Sequence, residues 1–337
     1  MNWIDGEVAA VKLPDQRLKS RLHHLLSQLG KTPDESIPDN CSSWSDTLAA
    51  YRFFDNDKVT PQGILSGHVQ ATCRRIAQEP VVLMVQDTAF LSLVSEGDEV
   101  SEGGGLHHTE TDTYCLHPTI AFTPQRVNLG SIGHAFWQRD DLSKTHRDQL
   151  PVEAKESARW LHSYEMACAV QARYPDTCVV SIADREGDIY QWLMKAQQQP
   201  TERKAEFIIR AKTDRRLGDD DDTATLFETL KTIRPLGAMQ LMLSRTPTRE
   251  ARLVTLRLSA QQVTLRRPKR YKVKTPSVDV TAVYACEMAP PPGCKAVEWL
   301  LLTSLSVETI SQAQTVLSWY THRNPNLGGI DHNSYSQ

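Results

Sequence analysis

The sequence predicts an α/β protein in which a helical N-terminal region precedes a sheet core, itself interrupted by an all-β insertion. Three observations carry this. Leu13, Leu18, Leu22, Leu25, Leu26 and Leu29 recur at helical spacing near the start. Two unbroken apolar runs, "PVVLMVQD" (80–87) and "TCVVSIAD" (177–184), read as strands buried on both faces, each closing on an aspartate. From about 213 to 297 the pattern changes to short alternating runs such as "ARLVTLRLS" and "VDVTAVYACEM", as antiparallel strands require.

In chain order, residues 1 to about 62 read as helical. A helix over about 13–31 carries Arg17, Lys19, Arg21 and Lys31 on and around its polar side, and a second helix covers about Ser45–Phe54 after a polar connection containing Pro38. Two readings stand side by side: a small DNA-binding module, or a helical subdomain with an ordinary charged surface. Beyond Glu79 come the strand ending at Asp87, then "HPTIAFTP" (117–124) and "VNLGSIGHAFW" (127–137). A helix over about 151–174 presents Trp160, Leu161, Tyr164, Ala167 and Cys168 at helical intervals. The strand to Asp184, a helix to about Gln198 and the strand "AEFIIRAK" (205–212) follow. After the insertion, closed by Pro290-Pro291-Pro292-Gly293, the chain returns to a strand at 298–304 and a helix over about 307–323.

Three sheet-forming strands followed by alternating helices and strands is a ribonuclease-H-like order. A dinucleotide fold would begin β-α-β, and no G-x-G-x-x-G follows the first strand. The predicted organisation is a helical domain at 1–62, a core at 63–323 interrupted at about 213–297, and an irregular tail at 324–337.

The 337 residues allow two domains or one enlarged by an insertion. No run of about 18 apolar residues predicts a membrane span, and the N-terminus lacks the basic start and apolar stretch of a signal peptide. Seven cysteines without a C-x-x-C pair predict a reducing cytoplasm and neither a zinc site nor a disulfide frame. The formal charge of −3 announces no nucleic-acid binder, but it averages an acidic run, Asp219–Asp222, with a basic one at 266–274. That basic run reads as a charged hairpin or as a clamp on DNA. His107-His108 follows three glycines and has no third ligand in sequence, so it reads as a loop and not a metal site.

Asp87 and Asp184 carry the chemistry. The carboxyl ends of strands are where α/β sheets build sites. Two carboxylates on neighbouring strands can hold two divalent cations roughly 4 Å apart, the arrangement used for displacement at phosphorus. Magnesium, or manganese, suits such oxygen ligands. The plain alternative is that each aspartate only caps a turn.

The stretches "AYRFFDN" (50–56), "QDTAFL" (86–91), "ADREGDIYQWL" (183–193), "FIIRAK" (207–212), "EWLLLTS" (298–304) and "WYTHR" (319–323) closely resemble the DDE transposases of the insertion-sequence-four family. The similarity runs from roughly residue 10 to 323. It implies metal-dependent cleavage of transposon ends, a DNA hairpin intermediate, and insertion into new double-stranded DNA by a homodimer in the bacterial cytoplasm, at the nucleoid. By position Asp87 and Asp184 resemble the first two catalytic and metal-binding carboxylates. Arg210 and Lys212 match basic residues near the DNA, and Trp299 matches a base-stacking tryptophan that could equally be core. Arg17, Arg21 and Lys31 fall where the end phosphates would be bound.

The family's third carboxylate belongs to a Y-x-x-R-x-x-x-E-x-x-x-x-x-x-K motif. Offsets of 3, 7 and 14 place all four side chains within roughly 60° of one helix face at about 100° per residue. Tyr320 and Arg323 match its first two members, but Leu327 and Ser334 stand at the Glu and Lys positions, and Pro325 and Gly328-Gly329 oppose a helix. Asp331 is the one carboxylate left nearby, and the resemblance finds no C-terminal dimerisation region. The expectation is a transposase shortened by frameshift, deletion or decay and crippled in cleavage. The alternatives are a non-catalytic transposon-end binder that inhibits a full-length partner, and a nuclease or phosphatase working with two aspartates.

Overall fold

Strands with no polar face must sit where both sides are covered, and the apolar runs do so here. The computed structural model describes residues 2–94, 111–138, 158–218, 224–245, 250–268 and 276–323. At the centre of one mixed sheet lie β1 (Val81–Gln86), β5 (Cys178–Ala183), β6 (Glu206–Arg210) and β10 (Glu298–Thr303). β1 and β5 run parallel, as do β5 and β6, whereas β10 is antiparallel to β6. On the β1 side, β3 (Thr111–Phe122) pairs antiparallel with β1, with β2 (Ala89–Val94) and, along its other edge, with β4 (Asn128–Gln138). On the β10 side the sheet continues through β9 (Val278–Glu287), β8 (Arg252–Leu265) and β7 (Gly237–Leu243), all antiparallel.

Alternate residues of the central strands feed two apolar layers. Val82, Met84, Val179, Phe207 and Ile209 face α6 (Ala158–Arg173) and α7 (Tyr190–Gln198), whose Trp160, Tyr164, Trp192 and Leu193 are fully buried. Leu83, Val180, Ile182, Ile208 and Leu301 face α9 (Ile310–Tyr320) through Ala313, Val316 and Leu317. Burial of this kind contributes about 1.5–3 kcal/mol per large side chain.

Several expectations are corrected. The third sheet strand begins at Thr111 and not at 117, and β2, hidden in a short run with polar flanks, pairs with that added length. Within the insertion, β9 hydrogen-bonds along β10 and extends the core sheet. The insertion also contains a helix, α8 (Leu226–Thr232), that buries Leu226 and Leu230. The predicted helix start at 151–157, the acidic run, His107-His108, the basic residues beyond 268 and the tail at 324–337 lie outside the described residues.

The N-terminal region is helical: α1 (Trp3–Val8), α2 (Gln16–Leu29), α3 (Ile37–Asn40) and α4 (Trp44–Phe54). Asp15 caps α2 by accepting the Arg17 backbone N–H, and Ser43 caps α4. Leu22 and Leu25 pack on Ala50 and Phe53 in a separate small core. A fifth helix, α5 (Pro61–Ile76), was not expected and starts with Thr60 as cap and Pro61 in its first turn. It joins the two regions. Its Arg75 donates to Glu7 of α1 at 2.8 Å and to the Leu129 carbonyl of β4 at 2.6 Å. His68 bonds Glu7 through Nδ1 at 2.7 Å and receives the Ser131 N–H on Nε2 at 2.9 Å. Gly67 allows α1 to approach, since a Cβ there would lie 2.2 Å from the Glu7 carbonyl oxygen.

Candidate functional site

The parallel pairing of β1 and β5 ends at Val85↔Ile182, so Asp87 and Asp184 both project from just beyond the paired edge. Each does cap its turn: Asp87 accepts the Thr88 N–H at 2.8 Å and Asp184 accepts the Glu186 N–H at 2.7 Å. A third side chain meets both carboxylates, at the capping Oδ1 of Asp87 and at the other oxygen of Asp184. Arg323, in the 3-10 turn after α9, places Nη2 at 2.7 Å from Asp87 Oδ1 and 3.3 Å from Asp184 Oδ2. Two carboxylates thus share one nitrogen, from a residue 236 positions beyond Asp87. The turn is anchored by Arg126 donating to Thr321 at 2.9 Å and by His322 Nε2 against the Pro124 carbonyl at 3.0 Å. The Arg323 side chain is 17% exposed, whereas Asp87 is 61% and Asp184 23% exposed, so the carboxylates stay open to solvent.

The other expected site residues divide. Arg210 is half-buried beside Tyr320, and burial chiefly lowers its pKa, with Arg185 and Arg323 adding repulsion and Tyr320 opposing it. Lys212 is exposed at the same sheet end. Trp299 and Tyr320 are 8% and 5% exposed and pack with ring centroids 6.3 Å apart in the layer under α9. Arg17 is exposed on α2, whereas Arg21 reaches Asp46 of α4 at 3.6 Å.

Four residues at the site were not singled out from sequence. Buried Asp188, the last acid of "DREGD", accepts the backbone N–H groups of Lys212 and Thr213 at 2.7 and 2.9 Å and pairs with buried Arg215 at 2.5 Å. It fixes the loop that carries Lys212. His117 is fully buried between Gln86 and Thr88, and burial, with Arg159's charge, lowers its pKa to about 4. Arg159 and Glu186 form an ion pair at 2.7 Å beside both aspartates. The last acid in "DREGD" was a visible signal; nothing in sequence pairs Arg159 with Thr88 or His117.

The donor set suits a hard divalent cation, since two carboxylate oxygens converge on one point. The Arg323 guanidinium nitrogen stands at that point in a cation's place. Among the described residues no third His, Cys, Asp or Glu joins them. No described helix is long and apolar enough to cross a membrane.

With this geometry in view, comparison with known proteins gives two findings. Residues 1–59 match the transposase DNA-binding family model. The match covers α1 to α4 and supports DNA as a partner of the N-terminal region. Among solved structures, the NurA nuclease from Sulfolobus solfataricus aligns over 75% of this chain and 79% of its own at 6% identity, with a TM-score of 0.30, a likeness too slight to argue from.

Proposed function

We propose that the protein is a transposase-type DNA-end binder with a phosphoryl-transfer site at the end of β1 and β5, on a ribonuclease-H-like core. The observation that carries this reading is the convergence of Asp87, Asp184 and Arg323 on one point, in a chain whose first 59 residues match a transposase DNA-binding domain. The strand order supports the core assignment: β4, β3 and β1 antiparallel, then β5 and β6 parallel to β1.

Asp87 and Asp184 would hold one magnesium or manganese ion, which when bound polarises a phosphodiester and acidifies a water. Arg323, Arg210 and Lys212 supply positive charge where a DNA phosphate would lie, and Asp188 with Arg215 keeps the Lys212 loop in place. Phosphate contacts position the duplex. In this reading Arg323 leaves the carboxylates for phosphate when DNA is bound. Arg17 and Lys31 of the N-terminal region engage the element end. Cleavage is weak, because Leu327 stands where the resemblance expects a glutamate. A non-catalytic end binder is the limiting case of the same reading. Purified protein and duplexes from the borders of the element carrying this gene test it: salt-dependent binding with little cleavage is the expected result. Absence of binding would remove the reading.

A further inference from the structure

The carboxylates lie beyond the last paired residues of β1 and β5, so backbone pairing alone does not set their separation. A side chain bridges the gap. Arg159 of α6 donates from Nε to Thr88 Oγ1 at 3.1 Å and from Nη2 to Glu186 Oε2 at 2.7 Å. Thr88 adjoins Asp87, and the Glu186 N–H holds Asp184. One planar guanidinium therefore ties the turn of the first carboxylate to the turn of the second. It is only 11% exposed and lies 5.3 Å and 5.7 Å from the rings of Trp137 and Trp160.

The tie continues inward with a defined direction. Gln86 Oε1 can only accept, so neutral His117 carries its proton on Nε2 and its Nδ1 accepts from the Thr88 hydroxyl at 2.9 Å, while Thr88 accepts from Arg159. His117 Nε2–H then donates to Gln86 Oε1 at 3.3 Å, and Gln86 Nε2 donates to Ser181 Oγ on β5 at 2.9 Å. The path thus runs from α6 through Thr88, β3 and β1 to β5, and its outer tie to both Thr88 and Glu186 needs the fork of a guanidinium, because a lysine cannot serve two acceptors in fixed planar geometry.

We infer that Arg159 is a positioning residue that sets the Asp87–Asp184 separation and hence the affinity of the pair for a divalent cation. The inference rests on the proposed cation site. It predicts a sign opposite to simple electrostatics: removing a positive charge near two carboxylates should tighten cation binding, whereas releasing the turns should weaken it. Groups that orient ligands typically change metal affinity by 10–100-fold.

The test is Mn2+ binding to the full chain, read as free Mn2+ by electron paramagnetic resonance, with circular dichroism establishing that each variant is folded. Arg159→Gln and Arg159→Lys should each weaken binding about tenfold. Thr88→Val, which changes no charge and retains shape, should weaken it several-fold and serves if the arginine variants fail to fold. Unchanged or tighter binding in Thr88→Val and in the folded arginine variants overturns the inference. If the wild-type chain binds no Mn2+, the cation site itself is wrong and the inference falls with it.

Discussion

Arg323 is the counter-ion to Asp87 and Asp184, and the proposed function asks it to leave them for a DNA phosphate. Replacing it with glutamine leaves the carboxylates uncompensated. Arg323→Gln should bind Mn2+ about tenfold more tightly without DNA, as loss of one positive charge at hydrogen-bond distance implies. Isothermal titration of both proteins reads this, and weaker binding in the variant would show the arginine to be a support rather than a competitor. His117 sets a different prediction. Its folded pKa is lowered to about 4 against an unfolded value of 6.5. Above pH 6.5 neither state takes the proton. Below it the unfolded chain does and the native one does not, so stability falls with pH through this window and levels off below about 4. The full effect is about 3 kcal/mol. Urea unfolding from pH 7 to 4 should show a slope that His117→Gln lacks; equal slopes would contradict the burial argument.

Among elements, α5 couples the two regions, and Gly67 is where it does so most closely. A methyl there meets the Glu7 carbonyl and Val11. Gly67→Ala should cost about 1–3 kcal/mol, the range for overpacked sites, and lower the melting temperature in calorimetry. A stabilised variant would mean that α1 is not docked as described. On α2, exposed Arg17 and paired Arg21 should differ. Arg17→Ala should reduce the slope of log affinity against log salt by about 1. Arg21→Ala should change it less, because Asp46 already engages that charge. The central strands were legible in sequence because burial on both faces leaves an unbroken apolar signature, as in "VVLMV". β2 and α8 were not, since each is short and acquires its burial only through distant partners. Arg159 and His117 were illegible for the same reason: their meaning lies in contacts with residues 71 and 29 positions away.

At the scale of the whole molecule, a helical region matching transposase DNA-binding domains is tied through α5 to a sheet of ten strands among the described residues, whose central strands end beside two acids and several arginines. The account joins these as DNA capture followed by positioning of a phosphate, with cleavage limited by the residue at 327. Both parts can be read on one gel. Labelled duplex from the element border is titrated with the full chain in manganese, and bound, free and cut DNA are resolved together. The account predicts a shifted complex that weakens steeply with salt and a cut fraction orders of magnitude below the bound fraction. Efficient cutting would contradict the defect assigned to the site, and no shifted complex at low salt would contradict DNA binding itself.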